Sequence, residues 1–151
     1  MTNNFEELVK NLVTKCIALK NRYVEEKELV ADWICFFAQS DGEYQELMKL
    51  AGGYGHIVKD TDSGPIYRFD KQIQTEAGIP KVVKVRKPDI TKSELGDVDF
   101  NTSYVEFKDK YLDNKRFTLI VRDKFEMMEL KEEDCDVMCY FSSVPPSSLA
   151  D

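Results

Sequence analysis

Ile57-Val58-Lys59-Asp60 returns 63 residues later as Ile120-Val121-Arg122-Asp123, and Tyr44-x-Glu46-Leu47 returns 60 residues later as Tyr104-x-Glu106-Phe107. The two echoes come in the same order, and each falls at the same place in its half of an element pattern read independently. Internal periods of this length decide a fold, because each repeat is one supersecondary unit. Outward from these anchors, the β-branched and aromatic run within Leu29–Ala38 reads as a strand. Ser40 or Asp41 caps a helix over 42–51, which Gly52, Gly53 and Gly55 end with a left-handed C-cap. His56–Asp60 and Pro65–Asp70 form a hairpin across the turn residues Asp62-Ser63-Gly64. Val82–Lys87 is a strand stopped by Pro88. The second half repeats this order. Asp97–Asn101 is a strand, Thr102 or Ser103 caps a helix to about Leu112, and Phe117–Arg122, Phe125–Leu130 and Asp136–Ser142 are three strands.

The expected fold class is therefore α+β: two βαβββ modules, 29–88 and 96–142, forming curled mixed sheets around a cleft in a single domain. Asp89 to Gly96 links them. An extra N-terminal helix occupies residues 1–28, where Phe5, Leu8, Val9, Leu12, Cys16, Leu19 and Tyr23 recur at three- and four-residue steps. Thr2, Asn3 and Asn4 offer N-cap oxygens, and Glu6 and Glu7 suit the positive end of the helix dipole. The tail, 143–151, with Pro145, Pro146 and small residues, is expected to be poorly ordered.

The paired βαβββ order resembles the vicinal oxygen chelate superfamily, the glyoxalase and bleomycin-resistance fold, over about Leu29 to Ser142. Leu95-Gly96-Asp97-Val98-Asp99-Phe100 looks like the strand that opens a module of that family, and Arg122-Asp123 leading into Glu126-Met127-Met128-Glu129-Leu130 is similar to its closing pattern. The resemblance implies strands wrapped around a ligand cleft. It also implies, in metal-bearing members, His or Glu ligands on the first and last strands of each module. Here the chain departs from the pattern. His56 is the lone histidine, and it begins a second strand. The fourth strand offers Lys84 and Arg86, which as cations cannot coordinate a metal. No metal and no cofactor is expected, and the metal-dependent alternative would need carboxylates such as Asp32, Asp97 or Asp99, and Glu129.

Composition bounds the partners. The 151 residues carry a formal net charge of −7, so nucleic acid and anionic membrane surfaces are repelled on average. No apolar run approaches the length of a membrane span. Met1 to Glu7 lacks the basic start and apolar centre of a signal peptide, so a cytoplasmic location is expected. Cys16, Cys35, Cys135 and Cys139 then read as reduced thiols. The expected partner is a small-molecule ligand, with no nucleic acid and no membrane, and a homodimer is among the allowed assemblies. A protein-interaction domain using the N-terminal helix is a further alternative.

Strand alternation supplies the candidate ligand site. Lys84 and Arg86 lie two apart and share a face, as do Asp97 and Asp99, while Val83, Val85, Val98 and Phe100 take the other face and pack under a helix. An arginine in such a cleft suits a carboxylate or phosphate. The competing expectation is that Arg86 pairs with Asp97 or Asp99 and serves no ligand. Other candidates are weaker. His56 is near neutrality in its ordinary pKa but has no fixed partner. Cys135 and Cys139 are too far apart on a strand for one metal or a disulfide, and Cys16 and Cys35 are read as distant from them. Trp33, Tyr67, Phe69, Tyr140 and Phe141 could stack a flat ligand but suit a core as well.

Overall fold

The structure is a computed structural model that describes residues 4–150. It is α+β: three helices and a single eight-stranded mixed sheet. Helix α1, Phe5–Tyr23, comes first. Then follow β1 (Ala31–Phe37), α2 (Asp41–Gly52), β2 (Gly55–Thr61), β3 (Gly64–Phe69) and β4 (Val82–Arg86). The chain continues with β5 (Gly96–Phe100), α3 (Tyr104–Tyr111), β6 (Phe117–Val121), β7 (Glu126–Leu130) and β8 (Val137–Ser142), and ends in the 3-10 turn η1, Pro146–Leu149. The strands lie in the order β2-β3-β4-β1-β5-β8-β7-β6. β1 runs parallel to β4, β5 runs parallel to β8, and β1 and β5 pair antiparallel at the centre. That central ladder joins all strands into one sheet where separate sheets were expected.

One face of the sheet carries the helices. Val83, Val85, Val98, Phe100, Cys139 and Phe141 point into a core with Val9, Leu12, Val13 and Cys16 of α1. The amphipathic face of α1 is thus used inside the chain. Asn4 caps it by accepting from Glu7 N at 3.3 Å; Thr2 and Asn3 lie outside the described residues. At the far end of the sheet, α3 closes the core with Phe107, whose ring stacks on Phe141 at 4.5 Å between centroids. Among the described residues, no helix is long and apolar enough to cross a membrane.

Three local expectations are corrected. Gly53 ends α2 with a right-handed φ of −77°, because its N–H continues the helical turn to Lys49 and Leu50. The glycine that matters there is Gly55, where a Cβ would lie 2.3 Å from the Arg68 carbonyl oxygen of the neighbouring strand. Ser103 takes the N-cap position of α3, its carbonyl accepting from Phe107 N at 2.9 Å, but it makes no side-chain cap bond, and the Thr102 hydroxyl is buried without a partner, so no side chain caps the helix.

The third correction concerns the tail. Residues after β8 are docked rather than loose: Pro146, Ser147 and Ala150 are buried, and η1 lies against β1. Asp32 holds them. Its carboxylate, 2% exposed, accepts from Ser147 N at 2.9 Å and from Ser147 Oγ at 2.8 Å. A register shift between Ala31 and Trp33 breaks the simple alternation of β1 around this residue. Two hydrogen bonds to one buried carboxylate outweigh the entropy of ordering a short proline-bearing segment. Asp32→Ala is therefore expected to lose about 1–3 kcal/mol, the cost of leaving buried donors unpaired. It should also expose the backbone after Ser142 to rapid proteolysis. Equal digestion rates for the two proteins would contradict this docking role.

Candidate ligand site on the face opposite the helices

Cross-strand register builds the site. Directly opposed residues share a face. Cys35 of β1 faces Lys84 on one side and Asp97 on the other, and Asp97 in turn faces Met138. The next row runs from Val82 through Trp33 and Asp99 to Tyr140 and Glu129. Arg86 stands beside Phe37, over whose ring its guanidinium lies 5.3 Å from the centroid. All four residues singled out by alternation, Lys84, Arg86, Asp97 and Asp99, line one cavity of about 310 Å³. Trp33, Cys35 and Tyr140 contribute to its floor, and Pro146, Leu149 and Ala150 of the docked tail form part of its wall.

Two further cations reach the same cavity, Lys59 of β2 and Arg122, which follows β6. They are the matching third members of the repeated Ile-Val-(Lys/Arg)-Asp segments. Sequence reading used those segments for the fold and overlooked them for the site, although the conserved sign of charge at equivalent positions was the available signal. Among the described residues, Lys59, Lys84, Arg86 and Arg122 make no ion pair. Cations elsewhere do, as Lys15 does with Asp136 at 2.8 Å and Lys108 with Glu126 at 2.7 Å. The competing pairing of Arg86 with Asp97 or Asp99 is not formed.

The carboxyls are held in an uncommon state. Asp97 is 8% and Asp99 5% exposed. Burial, reinforced by the neighbouring Asp99 charge, pushes the Asp97 carboxyl up to about 8, against a smaller opposing pull from Arg86 and Lys84. Burial likewise pushes Asp99 up to about 7, although its Oδ2 accepts a 2.5 Å hydrogen bond from Ser142 Oγ. Removing a charge from water costs more than these distant cations return. Asp99 Oδ1 is buried with no partner. Burial also lowers Lys84 from its ordinary value. Tyr140 donates to Glu129 Oε2 at 2.7 Å, and its hydroxyl is driven far up by burial and by Asp97.

The remaining candidates fall elsewhere. His56 is exposed on β2 and bonds Asp70 through Nδ1 at 2.9 Å, away from the cavity. Of the aromatics, Trp33 and Tyr140 line the cavity, whereas Tyr67 and Phe141 belong to the core and Phe69 packs against it. Cys135 precedes β8 instead of lying on it. Cys16, read as remote, meets Cys139 where α1 crosses β8: Cys139 Sγ donates to Cys16 O at 3.2 Å and Cys16 Sγ to Met138 O at 3.4 Å. Burial pushes the Cys16 thiol up, which keeps it protonated and unreactive.

Three carboxylates of the metal alternative are otherwise engaged, and Asp97 alone has no bonded partner among the described residues. Asp32 holds Ser147, Asp99 bonds Ser142 and Glu129 accepts from Tyr140. Among the described residues, no three His, Cys, Asp or Glu side chains are grouped to hold a metal ion. A roomier cavity of about 540 Å³ lies between α1 and α2, lined by Leu8, Leu12, Phe36, Leu47 and Leu50. Two of its three charged neighbours are already bonded within the chain: Lys15 to Asp136, and Glu43 to the Gln39 N–H.

No protein-family model matches the chain, and no curated protein is similar enough to count as a relative. A solved structure described as "Structural Genomics, Protein EC4020" is similar in fold, with a TM-score of 0.70. It matches 96% of this chain and 90% of its own length at 11% identity, which establishes a shared fold and nothing further.

Proposed function

We propose that the protein binds a small organic ligand with an anionic group in the cavity opposite the helices, without a metal, as a binding module of the glyoxalase and bleomycin-resistance-like type. The observation that carries this reading is the set of four cavity-lining cations with no ion pair among the described residues. Unpaired cations that converge from separate strands are positioned to attract an anion, and the arginine fork of Arg86 can hold a carboxylate or phosphate through two parallel hydrogen bonds. The strand order supports duplicated modules: β1-α2-β2-β3-β4 and β5-α3-β6-β7-β8 each place their last strand beside their first and parallel to it. The lining supports a curled sheet. β2 and β6 are its outermost strands. In a flat sheet at ~4.8 Å per strand they would stand about 34 Å apart, yet Lys59 and Arg122 reach one cavity.

A thermal-shift screen of inorganic phosphate and short mono- and dicarboxylates tests the reading. A ligand present at 100 times its dissociation constant stabilises by about 2.7 kcal/mol. For a domain of this size that corresponds to a Tm rise of about 5 °C or more. Arg86→Ala should lose most of it. Equal stabilisation of both proteins by every hit would remove Arg86 from the site and the proposal with it.

A further inference from the structure

We infer that the ligand is a zwitterion, a small aminocarboxylate whose ammonium group sits on Asp97 and whose carboxylate sits on Arg86 and Lys84. This rests on the binding function proposed above and names its ligand class.

Asp97 is more than nine-tenths buried and lines the cavity, yet it makes no hydrogen bond or ion pair among the described residues. Buried polar groups are almost always partnered, and Asp99 Oδ1, two residues along at the same cavity wall, is an exception, so the two carboxyls together point to a partner supplied from outside. The register explains why the protein does not supply one. Lys84 and Asp97 both face Cys35, from opposite sides of β1. They are thus two strand spacings apart, about 10 Å between backbones. Cys35 is small and apolar, so the floor between the two charges is low and holds no polar bridge. Lys59, Lys84 and Arg86 line the β4 side of this gap and the two carboxyls line the β5 side, where Arg122 also reaches in from beyond β6.

A plain anion would satisfy Arg86 and Lys84 but bring no cation to the two carboxyls, Asp97 and Asp99. A plain amine would do the reverse. A molecule with both charges, joined by a short chain lying over Cys35, satisfies both sides at once. An ammonium beside Asp97 would also sit in the field of Asp99, which lies two residues along the same strand face. The same ammonium would offset the repulsion between the two carboxyls and favour the charged form of Asp97 on binding. A divalent cation fits less well, since the nearby carboxylates do not supply three ligands and one oxygen of Asp99 is taken by Ser142.

Isothermal titration of the full chain at pH 7.5 tests this with glycine, β-alanine and γ-aminobutyrate, whose charges are progressively further apart. Acetate, propionate and butyrate are the matched acids without the amine, butylamine is an amine without the acid, and magnesium and manganese chloride are added separately. At least one aminocarboxylate is expected to bind tenfold or more tightly than its matched acid, about the worth of one charge-assisted hydrogen bond. Asp97→Asn should bring that ratio close to one, and Arg86→Ala should weaken both members of the pair. Matched acids that bind as well as the aminocarboxylates would overturn the zwitterion and leave the anion site standing. If neither set binds, both proposals fall. Aminocarboxylate binding that is indifferent to Asp97→Asn, or divalent binding that depends on Asp97, would also overturn it.

Discussion

Asp97→Asn is expected to make the protein more stable, with the gain growing as pH rises from 5 to 8. Burial and the nearby Asp99 raise the Asp97 carboxyl to about 8 in the folded chain, whereas unfolded it titrates at its ordinary 3.8. Between those values the folded state holds a proton that the unfolded state releases. Each pH unit in that window therefore subtracts up to roughly 1.4 kcal/mol from stability. The direction is that of a raised group: its contribution is complete below pH 4 and is lost as pH climbs through 8. The charges that act on Asp97 include Arg86 of β4, Lys84 of β4, Asp99 of β5 and Glu129 of β7. Asp97 in turn acts on Tyr140 of β8 and on Cys35 of β1. Only the two cations favour its charged form. Asparagine keeps the shape, carries no charge and does not titrate. At pH 8 its advantage is expected to be at least about 2 kcal/mol, seen as a Tm rise of about 5 °C; it should shrink steadily as pH falls and nearly vanish only below pH 4. Asp99, raised to about 7, pulls the same way and leaves some pH dependence in the variant. A Tm difference that is flat with pH, or of opposite sign, would show that Asp97 is charged and paired in the folded protein. A residue that destabilises its own fold is what a ligand site produces when its missing partner arrives from solution.

How much of this site could be read in the sequence depended on the range of the interaction involved. Alternation is local, so Val83 and Val85 could be set against Lys84 and Arg86, and Asp97 and Asp99 against Val98 and Phe100, with no knowledge of the fold. That all four charges meet depends on the β1–β4 and β1–β5 ladders, which are long-range, and the sequence supplied only the repeat as a hint of them. The contribution of Lys59 and Arg122 was written in the same repeat and was passed over because the repeated segments were used only as evidence for the fold. The tail failed for a different reason. Pro145, Pro146, Ser147 and Ser148 have the composition of a frayed end, and nothing nearby says otherwise. Their anchor, Asp32, is 115 residues away, at a break in strand alternation that no pattern marks. Cys16 and Cys139 belong to the same class: helix periodicity puts Cys16 on the core face but does not say which strand it crosses.

Gly96→Ala should cost about 3 kcal/mol, the upper end of the usual overpacking range, although it adds one methyl group. Gly96 opens β5 and pairs with Phe36 of β1 and with Val137 of β8, so it sits at the seam between the two halves of the sheet. A Cβ there would lie 2.2 Å from the carbonyl oxygen of Cys35 and 3.2 Å from Leu12 Cδ1. The first neighbour is backbone in the central strand and cannot swing aside as a side-chain end could. Relief requires β1 and β5 to separate locally, and this stretches the ladder that holds Cys35 opposite Asp97. The loss should therefore appear in two measurements. The urea midpoint should fall, and ligand-induced stabilisation should weaken even though no cavity-lining side chain has changed. Gly42→Ala is the control. It lies in the first turn of α2, where a Cβ would meet nothing closer than Ser40 Oγ at 3.9 Å. Alanine there should be neutral or should stabilise by up to about 1 kcal/mol through helix propensity. If the two substitutions had the same small effect, β1 and β5 would not approach as closely as the central ladder requires, and the site built across that ladder would lose its floor.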